Sequence, residues 1–216
     1  MSTISTVPSQ PGPPSGRPLA TAPVGRSHPG SRPLGWWGVV GLIATEATLF
    51  ALLLFVNFYL RANAGQWPPP GVEKPELVLS GIRSVILIGS SIPVAMAERA
   101  GKRGDQVRMR RYLIITFLMG AVFLAGHIQE YVTLWPKLTY RTNSYGSIFY
   151  TLTGLHALHL MVGLGVLAYL VVQSLRGRFE GQEHPTPVAC GILYWHFVDV
   201  VWVAVYSSLY LSVTLL

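Results

Sequence analysis

Charged and apolar residues are not mixed in this sequence. Beyond residue 34, long apolar runs alternate with short segments that hold nearly all of the Asp, Glu, Lys and Arg. That segregation constrains the fold more than any other feature. A run of roughly 18 or more apolar residues is long enough to cross a bilayer. Inside hydrocarbon the chain must satisfy its own backbone, and an α-helix does so within one segment. Five such runs are present, at about 35–60, 77–97, 112–131, 146–175 and 188–216. The expectation is an all-α, polytopic membrane protein. Residues 35–216 form a bundle of five transmembrane helices, with no soluble domain and no internal repeat.

Composition removes several function classes. The net charge of +7 would need a continuous basic face to hold nucleic acid. Here the cations flank apolar runs, where they set topology, and no nucleic-acid partner is expected. The one cysteine, Cys190, reads as a small packing residue near a helix start. It cannot form an intramolecular disulfide or a Cys-pair metal site. There is no Cys-x-x-Cys-His for covalent haem, and no motif for phosphate, nucleotide or nucleophilic catalysis.

Residues 1–34 are rich in Pro, Ser and Gly, with Arg17, Arg26 and Arg32 and no acid. Such a composition cannot bury a core and is expected to be a disordered tail. It lacks the apolar centre of a signal peptide, so the first span reads as an uncleaved anchor. The loop QWPPPGVEKP is stiff, and its Trp67 suits the membrane boundary. The second span carries Arg83 and Pro93. Arg83 is expected to snorkel to the surface, and Pro93 to kink the helix. A basic loop, Glu98–Arg111, follows. Loop cations divide unevenly: eleven Lys and Arg fall on the side of the tail and four on the other. Positive residues stay in the cytoplasm. The N-terminus is therefore expected to be cytoplasmic and the C-terminus outside.

The final run, YWHFVDVVWVAVYSSLY, holds His196 and Asp199 one helical turn apart, on one face. Trp195 and Trp202 share another stripe. An ionisable residue inside a span usually turns into the bundle and has a partner. His156 and His159 lie on one face of the fourth span. At about 1.5 Å per residue, Glu46 lies roughly 16 Å into the first span, and Asp199 lies about as deep in the last. His156 then falls near the level of Asp199, and His159 near that of His196. Glu46, His156, His159, His196 and Asp199 are thus expected to form a buried polar cluster near the midplane. Two roles compete. The cluster can be structural glue, since polar contacts between membrane helices are worth about 0.6 kcal/mol on average. Alternatively Glu46 handles protons, because intramembrane acids often mark proton routes. Glue is preferred, because one midplane acid per helix does not make a wire. Histidine ligation of haem or metal would need pairs at matched depth on facing helices, and no ligand set of that kind is expected.

The motifs together resemble subunit III of the haem–copper cytochrome c oxidases, over roughly residues 36–213. GLIATEATLFALLLFVNFY is similar to the segment with the family's carbodiimide-reactive carboxylate, which places Glu46 there. Ser90 and Ser91 match the family's Ser-Ser pair. Gln129, Glu130 and Tyr131 match the end of the third helix in part. YGSIFYTLTGLHALHLMVGL matches the histidine-bearing helix, with Ala157 in place of Gly. YWHFVDVVW matches the last signature without a gap. Long members have two helices before the carboxylate helix, so this chain resembles the five-helix bacterial form. Ala189 stands where long forms have an acid, and Arg83 where an Asn is usual.

The resemblance implies a non-redox subunit of a proton-pumping terminal oxidase in the bacterial plasma (inner) membrane. Such an oxidase reduces O2 with electrons from cytochrome c, and the chain itself has no catalytic centre. The subunit would stabilise catalytic subunit I, bind phospholipid and support proton uptake. Haems and copper would belong to subunit I and the dicopper subunit II, within a possible respiratory supercomplex. The alternatives are subunit III of a quinol oxidase, a subunit-III-like protein of a nitric oxide reductase, and, from another class, a small proton-coupled transporter. The charge asymmetry has a direct test. Cysteines placed at Lys102 and Arg103 should react with an impermeant reagent from the cytoplasmic side, and those at Trp67 and Lys137 from the other. Labelling of the Lys102 and Trp67 sites from one side would remove a span.

Overall fold

A computed structural model describes residues 33–70, 72, 77–182 and 185–212. The expected tail lies outside these residues except for Pro33 and Leu34, as do Lys74, His184 and residues 213–216. Six α-helices follow in order: α1 Leu34–Ala62, α2 Leu77–Gly89, α3 Ser91–Lys102, α4 Gln106–Leu134, α5 Ser144–Leu175 and α6 Thr186–Tyr206. A π-helical turn, Ser207–Leu211, continues α6. No strand occurs among the described residues. Taken with α2 joined to α3 and α6 to its π turn, five helices are long and apolar enough to cross a membrane.

Helix ends follow local chemistry. The Asp105 carboxylate accepts the Arg108 amide at 2.9 Å and starts α4. The Asn143 side chain does the same for Gly146 at the start of α5, at 2.8 Å. Gly104 and Gly177 sit at φ 71° and 70°, just past the ends of α3 and α5. There the Asp105 amide reaches back to the Ala100 carbonyl, and the Arg178 amide to that of Gln173. This is the glycine-terminated Schellman closure, which a residue with a Cβ adopts only under strain.

The second span is broken, as Pro93 demands. A proline has no N–H to offer residue i−4, and its ring crowds that carbonyl. The residue four back is Gly89, where α2 ends; α3 begins at Ser91. The expected basic loop is a correction. α3 runs to Lys102 and α4 starts at Gln106, so only Arg103–Asp105 form the turn and most of the cations project from helices. The glycine closure and the aspartate cap account for the difference.

α6 is the hub. It packs on α1, α5, α2 and α3, while α4 holds α2, α3 and α5 from the other side. α1 touches only α5 and α6 among the principal contacts and is the most open span. Trp195 of α6 lies in a slot between α4 and α5. A Cβ on Gly120 would fall 2.5 Å from its ring, and one on Gly163 3.1 Å, so the indole needs glycine at 120 and leaves little room for a larger residue at 163.

Arg83 does not snorkel. It is 7% exposed and turns into the bundle, donating Nη1–H to the Gly126 carbonyl and Nη2–H to Glu130 Oε2 at 3.0 Å. Tyr210, in the π turn, donates its hydroxyl to Glu130 Oε1 at 3.1 Å. A Cβ on Gly126 would lie 2.5 Å from Arg83 Cδ, so glycine is the residue that lets the arginine stem pass. Glu130→Ala strands the cation and should lower stability by about 3–5 kcal/mol. It would be read as lost chain yield and a lower thermal midpoint in detergent. Combining Arg83→Met with Glu130→Met should restore most of that loss, because apolar replacement of a whole buried pair is often neutral.

Candidate functional site

The last helix signature is joined to the second span by side-chain hydrogen bonds. Trp195 Nε1–H donates to Ser90 Oγ at 2.9 Å, and Trp202 Nε1–H to Ser84 Oγ at 2.9 Å. Ser91 donates its hydroxyl to Asp199 Oδ2, and His196 Nδ1 lies 3.4 Å from the same Ser91 oxygen. The ladder is antiparallel, with Ser84 beside residue 202 and Ser90 beside 195. Four polar residues of α6 therefore engage three serines of α2 and its continuation through Ser90 into α3. The break before Pro93 helps, because adjacent Ser90 and Ser91 both bond to α6.

A second arrangement joins α1 to α5. His159 Nε2 lies 3.1 Å from Glu46 Oε2, and His159 Nδ1 lies 2.8 Å from the Leu155 carbonyl. A carbonyl only accepts, so Nδ1 carries a proton. In the net-neutral pair one further proton lies between Nε2 and the carboxyl group, on one side or the other. Phe50 and Phe197 close around the imidazole, with ring centroids at 5.1 and 6.3 Å. Glu46 keeps 28% of its side chain exposed, so the pair sits at the rim of the bundle.

The expected single cluster is thus divided. The structure brings Glu46 to His159, and His196 to Asp199 through Ser91. It does not bring His156 to either carboxylate. His156 is fully enclosed, and neither ring nitrogen has a partner among the described residues; its ring lies 4.7 Å from that of Trp202 and 6.1 Å from Phe123. Matching depth was not enough, since the large rings of Trp202 and Phe123 occupy its surroundings. Of the remaining motif residues, Glu130 meets Arg83, and Tyr131 shares a 2.6 Å hydrogen bond with Thr153. The side chain of Gln129 is exposed. Among the described residues no group of three or more His, Cys, Asp or Glu is placed to hold a metal ion.

Sequence reasoning missed Ser84 as a partner for Trp202, and it missed the pairing of Arg83 with Glu130. A signal for the second existed. At about 1.5 Å per residue, Arg83 lies roughly 9 Å from the start of α2 and Glu130 roughly 6 Å from the end of α4. Those ends belong to the same side of an antiparallel bundle, so a charge-matching step by depth would have joined them.

Comparison with known proteins matches residues 32–213 to cytochrome c oxidase subunit III. The chain belongs to the cytochrome c oxidase subunit III family. A cytochrome c oxidase subunit 3 of Thermostichus vulcanus is 39% identical over 185 residues, covering 85% of this chain and 89% of that protein. One from Synechocystis is 37% identical, covering 85% of this chain and 78% of the relative. A probable cytochrome c oxidase subunit 3 of Mycobacterium tuberculosis is 36% identical over 193 residues, covering 88% and 94%. The family segments expected to carry the carboxylate, the Ser-Ser pair and the last signature all fall within the matched region.

The geometry distinguishes the two midspan carboxylates. Glu46 is at the rim, whereas Asp199 is buried and bonded to Ser91. A hydrophobic carbodiimide should modify Glu46 first, as mapped by peptide mass spectrometry; heavy modification of Asp199 beside intact Glu46 would reverse this assignment. Glu46→Gln should keep the α1 contact, because its amide can donate to His159 Nε2, whereas Glu46→Ala leaves that nitrogen unpaired and should loosen α1 in detergent.

Proposed function

We propose that this chain is the non-redox third subunit of a proton-pumping terminal oxidase in a bacterial plasma membrane. In this reading the assembly passes electrons from cytochrome c to O2, and haems and copper reside in catalytic subunit I and dicopper subunit II. The observation that carries it is the family match across residues 32–213, which includes the complete WHFVDVVW helix. A multi-subunit oxidase follows from membership of a subunit family; the identity of the neighbours is the proposal. The chain's own work is to stabilise the catalytic subunit and to hold phospholipid. The charge asymmetry of the loops supports a cytoplasmic N-terminus.

The Glu46–His159 pair supports a structural reading of the midspan acid. Its partner is an imidazole on the adjacent helix, and the other carboxylates bond elsewhere. A route for protons would need a succession of such groups at hydrogen-bond spacing. The pair instead fastens α1, the most open span, to the rest.

Affinity purification of the tagged chain from mild detergent should bring down a haem-containing catalytic subunit and a dicopper subunit. The preparation should consume O2 with reduced cytochrome c and show haem bands in a reduced-minus-oxidised spectrum. The chain separated from its partners should show none. Turnover with quinol alone would move the assembly to the quinol oxidases, and nitric oxide consumption to the reductases. A chain that purifies alone from gently solubilised membranes would overturn the reading.

A further inference from the structure

One face of α6 is left uncovered by its own bundle. Ala189, Leu193, His196, Val200, Val203 and Ser207 recur at intervals of four, three, four, three and four residues, and none of them is buried. Val200 and Val203 are 68% and 45% exposed. The stripe belongs to the helix that α1 packs against on one side and α2–α3 on another. Its alternating four- and three-residue spacing keeps one seam of the helix turned to the same side, as packing against a partner helix in a left-handed bundle requires. Membrane bundles mostly adopt that geometry.

Hydrocarbon-facing residues alone would be apolar. This stripe has His196 at its middle, about 15 Å from the start of α6 at 1.5 Å per residue. Ser91 is half-buried beside it. Behind them Asp199 is 5% exposed. Its Oδ2 is taken by Ser91, while its Oδ1 is enclosed within this chain and has no partner among the described residues.

His196 is the member of this group that lies on the stripe. Its Nδ1 is 3.4 Å from Ser91 Oγ, and no hydrogen bond to its Nε2 occurs among the described residues. Acyl chains at this depth offer that nitrogen neither donor nor acceptor. Unsatisfied polar groups are costly in hydrocarbon, and a single polar position in an apolar seam is a known way to fix the register of two helices.

We propose that this stripe seats a transmembrane helix of another oxidase subunit, and that this helix presents a polar, hydrogen-bonding side chain at mid-depth opposite His196. The inference rests on the multi-subunit reading above and adds the face and the chemistry by which the chain docks.

The test uses the complete tagged complex in native membranes. A photoreactive residue at Val200 should cross-link to one transmembrane segment of another oxidase subunit. The same residue at Val122, a 56% exposed position on α4, should give mainly lipid adducts. Val200→Trp should reduce co-purifying catalytic subunit roughly tenfold, a change of about 1.4 kcal/mol, with the chain still present in the membrane; Val122→Trp should not. If Val200→Trp lowers the amount of chain itself, the Val200 cross-link decides. Adducts at Val200 only with lipid, or with a second copy of this chain, overturn the docking face while leaving the multi-subunit reading intact, provided the wild-type chain retains its partners. A wild-type chain that retains none overturns the multi-subunit reading first.

Discussion

Hydrogen-bonding groups in the core of a bilayer have no water to fall back on, so each one left unmet by the protein is costly. The last helix of this chain carries two indoles, an imidazole and a carboxylate along one stretch. Its place is fixed by where the matching groups are. They are three serines on the broken second span. Leucine against leucine would leave a membrane helix nearly free to slide or rotate, because lipid tails are as apolar as its neighbours. The serine ladder removes that freedom. Once α6 is set, Trp195 finds its glycine-lined slot, and the helices that pack on α6 take their positions from it.

Small residues have a related role beside Arg83, the neighbour of Ser84 in the second span. Gly126 lets the stem of Arg83 pass close to α4, and the same glycine offers its carbonyl to the guanidinium. The arginine is thereby held by backbone and carboxylate together. The exchange of an expected asparagine for arginine becomes intelligible: Glu130 is within reach, and Tyr210 takes the carboxylate's second oxygen.

Much of this was legible in the chain. Hydropathy located all five spans, since a spanning helix advertises itself by length and composition. Pro93 was expected to kink the second span, and the structure interrupts that span between Gly89 and Ser91, because the proline acts on its own helix. Family motifs marked Glu46, Ser90, Ser91, Trp195, His196, Asp199 and Trp202. Their partners were harder to assign. Depth arithmetic placed His156 beside Asp199, but depth is one coordinate and rotation about the helix axis is another. His156 faces the aromatic rings of Phe123 and Trp202. Arg83 shows the reverse failure. The habit of long cations to seek the surface outweighed the presence of an acid at similar depth on another helix. Lateral neighbours in a bundle depend on packing order, which no single span contains.

The π turn at Ser207–Leu211 has a geometric effect beyond the hydrogen bond made by Tyr210. A widened turn amounts to one extra residue in the winding, and each residue of an α-helix turns the face by about 100°. The last turn is therefore out of phase with the helix that precedes it. Upstream, orientation answers to the serines; downstream, it answers to Glu130. The widened turn acts as a phase adjuster, letting Tyr210 reach Glu130 while its ring stays 6.3 Å from that of Trp202.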